Sequence, residues 1–211
     1  AVRAKLNRLG LELVGDLSWP EHAAIFSIPF RVAAETGIPL IFYGENPQRE
    51  YGGPLKAEDA MAMTGRGVSE FGGMLGLRPA DFIGRGGITG ADMLDYQGSS
   101  FATAYFLGQF LPWDSRKNAA AAEDNGMFQP VLAPCLANRW NFENLDNAMT
   151  GLHDHAMYRK YGYGRFVAQI SVDIRHGLIS REEAYKKARY HDGRFPEVYA
   201  GVHVSEVLAQ I

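Results

Sequence analysis

Residues 41–53, "IFYGENPQREYGG", run from an apolar stretch straight into a loop that gathers Gly44, Glu45, Asn46, Gln48, Arg49 and Glu50. Carboxylates, amides and a guanidinium held this close, with glycines that let backbone N–H groups approach a guest, suit a polar ligand. The same composition also suits an exposed connector. Loops at strand ends carry sites often enough that both readings stand.

Other residues invite chemistry of their own. Trp113-Asp114-Ser115-Arg116-Lys117 follows an apolar run, and Lys117 at the start of a helix could meet an anion, while Asp114 could equally be a simple helix cap. His153-Asp154-His155 suggests a metal at first sight. On a regular helix, residues two apart point about 200° from one another, so the two histidines cannot share one ion; a surface or substrate-facing pair fits better. "MYRKYGYGRF", residues 157–166, could stack a planar ring and hold phosphates with Arg159, Lys160 or Arg165, or could be core aromatics with a basic edge. "GRGGITG", residues 84–90, has the glycine of a phosphate loop but no G-x-x-x-x-G-K-[ST] pattern, and reads as a turn between short helices.

The elements that must position these residues follow from periodicity. Residues 20–37 place a proline at a first helical position, apolar residues in steps of three and four, and a closing glycine, with Pro29 as a candidate kink. "LELVG" before this helix reads as a strand, and "IPLIFYG" after it as a strand covered on both faces, giving a strand-helix-strand unit of parallel type. Residues 55–97 read as short helices in a glycine-rich insertion. Residues 103–113 suggest another strand, 114–126 a capped helix, and 144–161, 166–176, 180–191 and 197–210 four more helices, the third with a Ser180-x-x-Glu183 capping box.

Composition limits the function. The 211 residues, 46% hydrophobic and 21% charged, are enough for one domain with an appendage or for one and a half domains. A net charge of −3 with dispersed Lys and Arg gives no footprint for nucleic acid, and no apolar run is long enough for membrane insertion. The single cysteine, Cys135, excludes an internal disulfide and suits a reducing, cytoplasmic setting.

Four blocks, "YGENPQREYGG" (43–53), "LGQFLPWDSRKNA" (107–119), "NFENLDNAMTGLHDHAMYRKYGYGR" (141–165) and "ISREEAYKKARYHDGRFP" (179–196), resemble the N-acetyl sugar amidotransferase family of bacterial surface-polysaccharide biosynthesis, in order and over nearly the whole chain. The resemblance implies an α/β fold: a Rossmann-like parallel sheet of the PP-loop ATPase kind in residues 1–126, with an insertion at about 55–100, followed by a mainly helical region in 127–211. It implies ATP with Mg2+ and a nucleotide-activated acetamido sugar as substrates, and a glutaminase subunit as ammonia source. The implied product is an acetamidino sugar, formed through an adenylated amide. Carried onto this chain, Gly44, Glu45, Asn46 and Arg49 would be nucleotide-side residues, with Glu45, Asn46 and Lys117 acting at the reacting group. Trp113, Asp114, His153 and His155 would lie on the sugar side.

The pyrophosphate loop of that family, S-G-G-x-D-S, does not occur in these residues. The chain therefore reads as the C-terminal part of such an enzyme, its sheet incomplete on the N-terminal side and covered there by upstream sequence or by another copy of the chain. The competing reading is a non-catalytic sugar-binding or scaffold module that docks a glutaminase. A third, metal-dependent hydrolysis at His153 and His155, requires a bound metal.

Overall fold

The computed structural model describes residues 2–44, 73–94, 102–127 and 133–211. The chain falls into two compact units, Ala1–Trp113 and Asp114–Ile211. The first begins with two helices, α1 (Val2–Val14) and α2 (Trp19–Thr36), followed by β1 (Leu40–Tyr43) and β2 (Thr103–Phe106). β1 and β2 pair in parallel, Leu40 opposite Thr103 and Tyr43 opposite Phe106. Their carboxyl ends therefore lie at the same edge, with Gly44 just beyond β1.

The expected strand at "LELVG" is instead the last part of α1. Leu and Glu are strong helix formers, and Val2, Leu6, Leu9 and Leu13 recur at helical spacing. All four pack on a cluster of Trp19, Ala23, Met74, Phe82 and Ile88, in which the Trp19 and Phe82 rings lie 4.2 Å apart and Trp19 Nε1 donates to Met74 O. The strand-helix-strand unit is thus replaced by a helix pair leading into one strand. α2 was legible: Pro20 sits in its first turn, and Gly37 ends it at φ 76°, a left-handed conformation that glycine adopts without strain.

β1 also departs from expectation on one face. Ile41 and Tyr43 turn toward α2, where Phe30, Ala33, Ala102, Ala104 and Phe106 join them. Leu40 and Phe42, on the other face, are 47% and 54% exposed. Among the described residues the parallel sheet has two strands, and a wider Rossmann-like sheet is not present among them. Between the described strands, residues 73–94 form two 3-10 turns, Pro79–Asp81 and Gly90–Asp92, and the glycines at 84, 86 and 87 take positive φ in the turn between them.

The second unit is helical. It contains α3 (Ser115–Asp124), α4 (Thr150–Tyr161), α5 (Arg165–Arg175), α6 (Arg181–His191), and a short α7 (Val204–Leu208) after a hairpin of β3 (Val198–Tyr199) and β4 (Val202–His203). α5 and α6 enclose Phe166, Ile170, Ile179 and Ala184. Ser180 caps α6 by accepting from Glu183 N, one half of the expected capping box, while the Glu183 carboxylate pairs with Lys187 at 3.0 Å. The helix expected over 144–161 begins only at Thr150, because Asn144 holds φ at 54° and the residues after it turn. The helix expected over 197–210 is corrected to a hairpin and one short helix. Ala200 and Gly201, both at positive φ, form a two-residue turn between β-branched and aromatic neighbours.

Candidate functional site

The densest chemistry lies in the second unit, where α4, the start of α5 and the segment after α6 converge. Asp154 faces inward from α4, and Arg165 opens α5; both are buried. They meet in a two-pronged pair, Nε to Oδ2 at 3.0 Å and Nη2 to Oδ1 at 2.8 Å. Such fork geometry satisfies both charges at once, which burial requires. The Arg165 proposed from sequence as a phosphate holder is thus engaged by Asp154, the residue between the two histidines.

Around this pair lies a small cleft lined by Cys135, Asn138, Asp154, His155, Arg165 and Arg194, with Gly151, Gly164 and Gly193 in its walls. Its ≈ 10 Å³ of free volume holds about one water molecule. A nucleotide sugar does not fit inside it. The glycines are required by close packing: a Cβ at Gly193 would lie 2.4 Å from the Tyr158 ring, and one at Gly151 would lie 2.6 Å from Tyr199. His155 Nδ1 sits 3.2 Å from Gly193 O. A carbonyl only accepts, so Nδ1 carries the hydrogen of this contact. The Phe195 ring meets the imidazole edge-on at 5.2 Å.

The other polar groups here are held in neutral or structural states. Burial, and then the charge of Asp154, push the Tyr199 hydroxyl well above its ordinary value, and it donates to Asn144 O. Burial also raises the Cys135 thiol, which donates to Asn138 Oδ1 at 3.1 Å. A raised thiol is a poor nucleophile at neutral pH. Asp192 accepts from Gly164 N and Val167 N and so caps α5 from outside. Its burial raises its pKa, against the pull of those backbone donors.

A second charged group lies beside α3. Asp114 caps this helix by accepting from Arg116 N and also binds the Arg116 guanidinium. Arg116 Nη1 reaches buried Asp173 at 3.0 Å, and Arg139 Nε pairs with the other Asp173 oxygen. The hydrogen bonds from Arg116 hold the Asp114 carboxyl below its usual range, its own burial opposing them. Gln169 accepts from Arg139 N and Trp140 N and donates to Glu143.

Of the residues singled out from sequence, Gly44 stands past the end of β1, Trp113 closes the first unit, and Lys117 is exposed in the first turn of α3. Glu45, Asn46 and Arg49 lie outside the described residues. His153 and His155 occupy one helix, and His155 alone of the two lines the cleft. Among the described residues no group of three or more His, Cys, Asp or Glu could hold a metal ion. Sequence reasoning missed Asp154, Arg165 as its partner, and the Asp173 cluster; acidic residues on apolar-patterned helices were the available signal.

No helix of the described residues is long and apolar enough to cross a membrane. No curated protein matches the chain. Residues 136–204, which contain the buried Asp154–Arg165 pair and all of the named cleft lining except Cys135, match the family described as LPS biosynthesis protein WbpG-like, C-terminal domain.

Proposed function

We propose that the chain is part of an ATP-dependent amidotransferase that converts the N-acetyl group of a nucleotide-activated sugar to an acetamidino group during lipopolysaccharide biosynthesis. The observation that carries this reading is the match of residues 136–204 to an LPS biosynthesis family. That stretch includes two of the four sequence blocks, 141–165 and 179–196. An amide oxygen leaves poorly, whereas the same oxygen carried off on AMP leaves readily once ammonia has attacked. The protein's task is then positioning, charge stabilisation and exclusion of competing water.

In this reading the nucleotide side is a Rossmann-like, PP-loop type sheet, with Gly44 just past the end of β1 and Glu45, Asn46 and Arg49 following it in sequence. Ligands of parallel sheets bind beyond such ends. ATP and Mg2+ would be held there. The resemblance makes Trp113, Asp114, His153 and His155 candidate sugar-side residues, and a glutaminase subunit in the cytoplasm supplies ammonia.

The test is direct. The intact protein receives ATP, magnesium, ammonium and a panel of UDP- and CMP-linked acetamido sugars. Release of AMP with replacement of the amide oxygen by NH in the sugar is expected. No AMP above background with every sugar would end the proposal.

A further inference from the structure

We infer that the cleft in the second unit is a phosphoryl-oxygen subsite, in which Asn138 Nδ2 donates to one oxygen of a phosphate group and Arg194 holds the others at the mouth. Asn138 lines the cleft, is 5% exposed, and has its amide nitrogen buried without a hydrogen-bond partner. A buried donor left unmade is costly, and an acceptor guest removes that cost. The other end of the amide is committed, because Asn138 Oδ1 accepts from the Cys135 thiol at 3.1 Å. The neighbouring Tyr199 hydroxyl gives its hydrogen to Asn144 O and makes no hydrogen bond with Nδ2.

A water in this place would need acceptors for its own hydrogens. Those of the lining are engaged: both Asp154 oxygens hold Arg165, Asn138 Oδ1 holds Cys135, and Gly193 O meets His155 Nδ1. An anionic oxygen needs donors only. Charge favours it as well, since the lining sets two guanidiniums, Arg165 and Arg194, against the one carboxylate of Asp154. Asp192, behind Gly164, spends its two oxygens on Gly164 N and Val167 N.

Size decides how much of the guest enters. The ≈ 10 Å³ of free volume admits one oxygen and not a whole phosphate. Arg194 is exposed, so the rest of the group meets it at the mouth. Its Nε donates to Tyr190 O, and its guanidinium stacks over the Tyr190 ring at 4.7 Å. The two terminal nitrogens are then what it offers a guest. A phosphoryl or diphosphoryl group with one oxygen in the cleft keeps two or more for that fork, whereas a carboxylate keeps one. The subsite is argued from geometry; that the diphosphate of a nucleotide-activated sugar supplies the oxygen rests on the amidotransferase reading.

The experiment uses the whole protein with 15N-labelled asparagine, following the side-chain amide signal of Asn138. Sodium phosphate and UDP should move that signal saturably, while sodium chloride and sodium acetate at equal ionic strength, and uridine, should not. Arg194→Gln, a change at an exposed side chain, should raise the Kd of both phosphate and UDP about tenfold with the helical circular dichroism unchanged. No movement of the Asn138 amide, an equal movement with chloride or acetate, or an unchanged Kd in Arg194→Gln overturns the subsite. Tighter binding of UDP than of phosphate supports the diphosphate as its guest; a response to phosphate alone supports the subsite and overturns that assignment. Intact UDP binding with no AMP release from any sugar would instead overturn the amidotransferase reading alone.

Discussion

Asp154 and Arg165 are the residues on which the candidate site depends most, because each leaves the other a buried, unpaired charge if removed. Asp154→Ala should therefore cost about 3–5 kcal/mol in urea unfolding. Replacing both partners with apolar residues of similar volume should recover most of that loss, since the desolvation of both charges disappears with them. A single mutant within 1 kcal/mol of the wild type, an order-of-magnitude threshold for an exposed pair, would mean that the pair is open to water. Little of this was legible beforehand. "HDH" drew attention to its histidines, and Arg165 was weighed with the exposed basic residues of "MYRKYGYGRF". The partners are eleven positions apart across a helix turn, a spacing that local patterns do not report. What the sequence did show was negative and sound: two histidines at i and i+2 on one helix diverge, and only His155 lines the cleft.

At the scale of elements, periodicity and caps found α2, α3, α5 and α6 to within a residue or two, helped by local boundary signals: Gly37 ends α2, and Asp114 and Ser180 start α3 and α6. It failed where two elements compete for the same residues. "LELV" satisfies a strand run as well as a helix, and α1 prevails because Leu6, Leu9 and Leu13 all reach one cluster. In the C-terminal stretch, "VYAGVHV" held a hairpin signal that the helix-like residues after it obscured. Ala200 at φ 47° is strained there. Ala200→Asn should raise stability by about 0.5–1 kcal/mol, since asparagine tolerates the left-handed region and Asn-Gly favours this turn; a fall in melting temperature would contradict the turn. The α3 cap makes a pH prediction. Asp114 has a lowered pKa in the folded chain, chiefly through Arg116, so its contribution is present above the unfolded value of about 3.9 and lost as pH falls through the lowered one. Asp114→Asn should flatten that acid limb in urea titrations, and an unchanged limb would assign it to other carboxylates.

For the whole molecule, the two units differ in how completely they cover their apolar surface. The second contains the core between α5 and α6, the Asp114–Arg116–Asp173–Arg139 cluster and the Asp154–Arg165 pair, with every named partner inside residues 114–211. Among its described residues the first carries a two-stranded parallel sheet packed on α2, and Leu40, Phe42 and Phe110 are half exposed, the last two 6.3 Å apart with Tyr105 beside them. On α2, Ile25, Ile28 and Val32 are similarly exposed and lie along one helical stripe. Parallel sheets are ordinarily covered on both faces, and contiguous apolar surface of this kind drives association. Expressed separately, residues 114–211 should unfold cooperatively in urea and sediment as a monomer. Residues 1–113 should self-associate, and Phe42→Lys with Ile28→Lys should reduce that association without loss of helical signal, since neither side chain is part of the buried core. A monomeric 1–113 fragment would show that its open sheet face is satisfied within the unit. Non-cooperative melting of 114–211 would show that the buried ion pairs need the first unit to hold them.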